Sequence, residues 1–207
     1  MLFASLRHAL THLTQFRGRD NPALFWPFAG LVVGASMALS MIGALVAMVQ
    51  MAPRIIAFAR AHPDQTHVDS GAGGFQVTIN SGPGGPPIDP AMFKQFFDMA
   101  VTVNTISLIM VIVLLGAAIT RRLHDSGMPG FVAWIPALLM VIGMAHMRDA
   151  VPMMSTTNVD PSAFLRVFAI NLAYLASLGG LVYLLVRKGT PGDNRYGAPR
   201  WKKTLGA

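Results

Sequence analysis

The stretch "RRLHDSGMPGF" (121–131) gathers Arg121, Arg122, His124 and Asp125 within five positions. A His–Asp neighbour pair flanked by guanidinium groups could in principle bind a phosphate and move a proton. Two further stretches carry related side chains: "FRGR" (16–19) holds Arg17 and Arg19, and "GTPGDNRYG" (189–197) holds Asp193, Asn194 and Arg195. The last is no nucleotide loop, because it lacks the lysine and following hydroxyl residue of a phosphate-binding P-loop. His124 and Asp125 alone do not make a metal site, since a closed site usually needs more ligands. The chain has no cysteine, which excludes disulfides and thiolate ligands. These residues therefore imply no catalytic set, no metal and no cofactor. Loop architecture and anion or lipid-headgroup contact are the roles they suggest.

The elements that must position them are apolar. Hydrophobic residues make up 53% of the 207 and charged residues 12%, about half the charged share of a soluble domain. No charge occurs from Asn21 to Pro53, Met99 to Thr120, Ser126 to Met147 or Val167 to Val186. Each run can cross a hydrocarbon core of ~30 Å as a helix, which satisfies its own backbone hydrogen bonds in lipid. The fold class is thus an all-α integral membrane protein. Its four transmembrane helices are expected near 24–51, 98–120, 129–147 and 166–186. Residues 1–20 form an N-terminal segment, 21–187 the membrane domain and 188–207 a basic tail. In the first of these, Leu2, Leu6, Leu10 and Leu13 fall on one helical stripe, which suits a short helix at the membrane surface. The first span is too long for a signal-peptide core.

Charge sets the orientation. One side of the four spans carries eleven Lys and Arg against three Asp, the other five against six, so the sides hold +8 and −1 of the net +7. The basic side is expected in the cytoplasm, with both termini inside. "RRLHDSGMPG" then becomes a short inner hairpin loop, its arginines matching the negative end of a helix dipole and anionic headgroups.

Gly30, Gly34 and Ala38 in the first span repeat at intervals of four, as do Ala169, Ala173 and Ser177 in the fourth. Small residues on one stripe allow close helix approach in lipid, so packing of these two spans against each other is favoured over a dimer face. Pro136 is expected to bend the third span. The outer loop 53–97 is rich in Gly and Pro, although "RIIAFARAH" could extend the first helix beyond the bilayer. "FQVTINS" alternates like a strand, and one strand needs a partner, so a hairpin, pairing with another subunit and a mobile loop are the alternatives, the mobile loop being favoured.

"FRGRDNPALFW", "RRLHDSGMPGF" and "GTPGDNRYG", in this order around four apolar runs, resemble the bacterial inner-membrane family called domain of unknown function 805 (DUF 805). The resemblance covers nearly the whole chain outside the long outer loop. It implies an inner-membrane protein of unassigned activity. Asp125 is expected near Arg195, or Asp193 near Arg121 or Arg122, pinning the C-terminal turn beneath the inner hairpin. Three functions are weighed. A non-enzymatic membrane component with a basic face toward anionic lipid or a protein partner comes first. A small transporter or channel is second; its charge-free runs hold His146, Asn104 and Asn171 but no carboxylate. An inner-leaflet enzyme on a phosphorylated substrate is third. Nucleic acid is not an expected partner, because the basic residues sit where topology already requires them.

Overall fold

The computed structural model describes residues 2–63, 66–71, 74–79, 90–153 and 161–198. Expectations resting on Arg200, Lys202, Lys203 and residues 80–89 lie outside the described residues. In chain order the elements are α1 (Leu2–Thr11), α2 (Pro22–Ala61), β1 (Thr66–Gly71), β2 (Gly74–Ile79), α3 (Pro90–Asp125), α4 (Trp134–Met153) and α5 (Pro161–Val186). Four helices are long and apolar enough to cross a membrane, over Pro22–Ala61, Lys94–Asp125, Gly130–Met147 and Phe164–Val186.

The start of α2 is written in "DNP". Asn21 caps the helix, its side-chain oxygen accepting from the Leu24 amide at 2.9 Å, and Pro22 occupies the first turn, where its missing N–H costs nothing. At 40 residues, α2 is about 60 Å long and overshoots any hydrocarbon core. Residues 53–61, inside the expected outer loop 53–97, are its final turns, the extension that "RIIAFARAH" allowed. The connection to α3 also departs from a mobile loop: β1 and β2 pair antiparallel, Thr66 opposite Ile79 and Gly71 opposite Gly74. The strand seen in "FQVTINS" finds its partner in the residues just before it.

The end of α3 is equally local. The Met128 amide donates to the Leu123 carbonyl at 2.9 Å and the Gly127 amide to the His124 carbonyl at 3.0 Å, with Gly127 at φ +76°. This is a Schellman ending, in which a left-handed glycine lets the chain double back and satisfy the last carbonyls. A 3-10 turn over Gly130–Ala133 leads into α4. Pro136 therefore sits in the first turn of α4, where its missing N–H breaks no helical hydrogen bond, instead of in the helix interior, where a bend was expected.

Packing follows chain order: α2 lies along α3, and α4 along α5. A Cβ placed on Gly43 of α2 would come within 2.6 Å of the Val103 side chain of α3, so this close approach needs glycine. The expected pairing of the first and fourth spans is not made. Gly30, Gly34 and Ala38, like Ala169 and Ala173, are exposed, and nothing lies within 4 Å of a Cβ built on Gly30 or Gly34. Only Ser177 is partly covered. In lipid the apolar surface of a helix gains nothing by leaving its surroundings, so a small-residue stripe does not by itself dictate a partner. The core gathers at one end of the bundle, around Phe25, Phe28, Val32, Leu115, Leu123, Leu181 and Leu185.

Candidate functional site

That same end holds the three polar stretches, and they interlock. Arg121 and Arg122 are adjacent in the last turns of α3, so their side chains leave the helix about 100° apart and reach different parts of the chain. Arg121 turns toward the segment after α1. Its Nε donates to Asp20 Oδ2 at 2.7 Å, and its Nη1 donates to the His12 carbonyl at 2.7 Å and to that of Gln15. Arg122 turns toward the end of α5. Its Nε donates to the Leu185 carbonyl at 3.0 Å, its Nη2 to the Arg187 carbonyl, and its Nη1 to Asp125 Oδ2 at 2.7 Å.

Arg19 closes the third side. Its Nε donates to Asp125 Oδ1 at 3.0 Å, and Nη2 lies 3.0 Å from the same oxygen. The remaining donors reach the carbonyls of Gly192 (2.7 Å), Gly197 (3.1 Å) and Thr190. Asp125 thus bridges Arg19 and Arg122, while Asp20 bridges Arg121 and His8 (Nε2 to Oδ1, 3.0 Å). Arg121 and Arg122 are 0% exposed, Arg19 and Asp125 2%, and Asp20 4%.

Burying charge is tolerable only when its hydrogen-bonding capacity is met. Here three guanidiniums meet two carboxylates and seven backbone carbonyls, those of His12, Gln15, Leu185, Arg187, Thr190, Gly192 and Gly197. Those carbonyls lie at helix ends and in irregular backbone, where the helical ladder runs out; those of His12 and Gly197 also accept from the Gln15 and Asn194 amides. The planar five-donor fork of arginine is the side chain suited to gathering several acceptors at once. "RRLHD" is therefore the hub of a clamp that ties both ends of the chain to the end of α3.

The C-terminal turn is shaped to reach it. Asn194 accepts from the Tyr196 amide at 2.9 Å and donates through Nδ2 to the His124 carbonyl at 2.9 Å. Thr190 donates from its amide to the Asp125 carbonyl at 2.9 Å. Gly189 has no alternative, since a Cβ there would sit 2.0 Å from Asp125 Oδ2. Tyr196 stacks on His124 with centroids 3.7 Å apart, and the Arg195 guanidinium lies 4.8 Å from the Tyr196 ring centre.

The individual pairs expected from sequence are replaced. Asp125 faces Arg19 and Arg122 rather than Arg195, whose Nη2 donates instead to the Gly127 carbonyl at 2.9 Å. Asp193 is exposed, and among the described residues no ion pair joins it to Arg121 or Arg122. Arg121 and Arg122 point inward with no surface left for a headgroup, because the backbone carbonyls compete for the same donors. Sequence reasoning passed over Asp20, His8, Gly189 and Thr190. Asp20 was legible as one of only three acids on the basic side; a backbone carbonyl has no side-chain signal at all. Among the described residues no group of three His or Asp gathers as a metal set.

Outside the clamp, among the described residues, the same end exposes Arg7, Arg17, Arg187, Lys188 and Arg195, against a single exposed acid, Asp193. His146, the titratable group noted in the third run, lies far along α4 and engages the Ile142 carbonyl through Nδ1 at 2.9 Å.

A family model described as "Protein of unknown function (DUF805)" matches residues 13–198, which take in all three polar stretches and all four long helices. Comparison with curated proteins and with solved structures found no match.

Proposed function

The chain belongs to the family of unknown function DUF805, and from that premise we propose a multi-pass protein of the bacterial inner membrane whose cationic face binds anionic phospholipid headgroups, without catalysing a reaction. The clamp end lies in the cytoplasm, both termini with it. One observation carries this reading: the buried arginines are committed to carbonyls and carboxylates, whereas Arg7, Arg17, Arg187 and Lys188 remain exposed around them. Polybasic positions at a bilayer surface attract anionic lipid by about 1 kcal/mol each. His124, the side chain best suited to acid–base work, is stacked under Tyr196. In this reading α1 lies in the interface, with exposed Leu2, Phe3 and Leu10 toward the lipid.

Lipid retained through purification tests the function. Anionic phospholipid is expected to be enriched over the bulk membrane, and the Arg7, Arg17, Arg187 and Lys188 quadruple Gln variant is expected to lose most of that enrichment. Equal enrichment in both proteins would sink the reading. The absence of cysteine makes orientation easy to test by labelling. Phe3→Cys and Asp193→Cys should be shielded from an impermeant thiol reagent in intact cells, and Ala61→Cys labelled.

A second reading, a small transporter or channel, is favoured by a cavity of about 390 Å³ between the four long helices. Among the described residues no Asp, Lys, Arg or His lines it, so proton-coupled carriage finds no charged group among them. Protein-dependent flux across reconstituted vesicles would promote this reading over the first.

A further inference from the structure

The cavity is bounded by α3 through Asn104, Leu108, Leu115 and Gly116, by α2 through Trp26 and Val33, and by α4 and α5 through Trp134 and Val182. It arises because α2–α3 and α4–α5 pack as two pairs and meet tightly only near the clamp, where Phe28, Leu181 and Leu185 are buried. Trp26, Val33, Trp134 and Val182 on its rim are each more than a third exposed. The slot therefore opens sideways between α2 and the second pair. Its volume falls in the range of small-molecule sites. Its lining is mostly apolar, with Ser36, Ser40, Asn104, Ser107 and Tyr174 as the polar groups.

We propose that this slot seats one acyl chain of an anionic phospholipid whose headgroup is held by Arg187 and Lys188. The proposal rests on the lipid-binding reading above and gives it a site. Two observations select this occupant. A laterally open, apolar slot among membrane-spanning helices faces hydrocarbon chains, and water there would find few partners. The slot's inner end is lined by Leu185, and two residues further on the chain exposes Arg187 and Lys188. Arg122 fixes that step by binding the carbonyls of both Leu185 and Arg187. The backbone that carries the two cations is thus fixed relative to the apolar slot, and their long side chains are left to reach a negative head.

Gly116 offers a clean test, because nothing lies within 4 Å of a Cβ built there although the residue lines the slot. Gly116→Leu puts a larger side chain into the slot from α3, and Ala137→Leu does so from α4. The full chain, carrying Trp201→Phe so that only Trp26 and Trp134 emit, is reconstituted in phosphatidylcholine vesicles containing a minor share of phosphatidylglycerol. Either lipid is supplied with brominated chains, which quench nearby indoles. Brominated phosphatidylglycerol is expected to quench more than brominated phosphatidylcholine at equal share. That excess should fall at least threefold in Gly116→Leu, in Ala137→Leu and in the Arg187→Gln/Lys188→Gln pair. An excess that survives both slot-filling variants but not the charge variant overturns the slot while leaving headgroup binding intact. No excess in the wild-type chain, together with no anionic enrichment on purification, overturns both. A dimer that either slot-filling variant splits into monomers identifies a second copy as the occupant and also overturns the proposal.

Discussion

The two ends of this bundle are held together by different physics. At the clamp end, charged side chains lie deeper than almost any apolar one, and segments from residues 12 to 194 converge on the last turns of α3. Further along, the helices touch in pairs, through contacts such as Gly43 with Val103 and Ser40 with Ser107 at 3.5 Å, and the pairs part to leave a cavity. In water the order would be reversed, with apolar residues at the centre and arginines outside. In lipid, apolar surface supplies little drive for association, whereas an unmet carbonyl or guanidinium remains costly. Directional polar contacts therefore decide where this protein is tight, and apolar length decides only where it sits.

The sharpest way to break that contrast is Asp125→Ala, which strands Arg19 and Arg122 together. It should destabilise the protein by about 3–5 kcal/mol, the usual result of removing one partner from a buried pair, and should appear as a large fall in the denaturant midpoint in micelles. Arg121→Lys keeps the charge and loses the fork that spans Asp20 and two carbonyls. A loss of about 2 kcal/mol is expected, since charge-assisted hydrogen bonds are worth roughly 1.5–3 kcal/mol; a midpoint equal to wild type would show that charge alone suffices. Along the spans, Gly43→Ala must push Val103 aside and should cost about 1–2 kcal/mol, whereas Gly34→Ala, facing open space, should stay within about 0.5 kcal/mol. Equal effects would mean that α2 has a partner on its other face. Smallest of all is Lys94→Ala at the far end, which removes an exposed pair with Asp98 at 2.7 Å and should change stability by no more than about 0.5 kcal/mol.

Much of the scaffold was legible in the sequence, because membrane spans announce themselves through uninterrupted apolar length and the inner hairpin through "DSGMPG" between two of them. The convergence of three polar stretches at one end followed from alternating spans. Their wiring did not. Arg19, Arg121 and Arg122 have more donors than there are carboxylates nearby, so most of their partners are backbone carbonyls, which carry no residue identity. Charge matching alone paired Asp125 with Arg195, whereas geometry gave Arg195 the turn at Gly127 and Asp125 the two arginines that reach it from either side. The stripes of Gly30 and Ala169 misled for a related reason: small size permits an approach but does not supply a reason for one. The hairpin was half visible, as its second strand alternates and its first, "THVDSG", does not.

The clamp also sets an order of assembly. Arg19 emerges early in synthesis, yet three of its acceptors belong to Thr190, Gly192 and Gly197, more than 170 residues later. Until the last helix has been threaded and that turn has left the ribosome, the early arginine has nothing to grip there. Insertion of the spans and locking of the bundle are consequently separate events, and a chain halted before the final turn would be membrane-embedded but unlatched, a ready target for quality-control proteases.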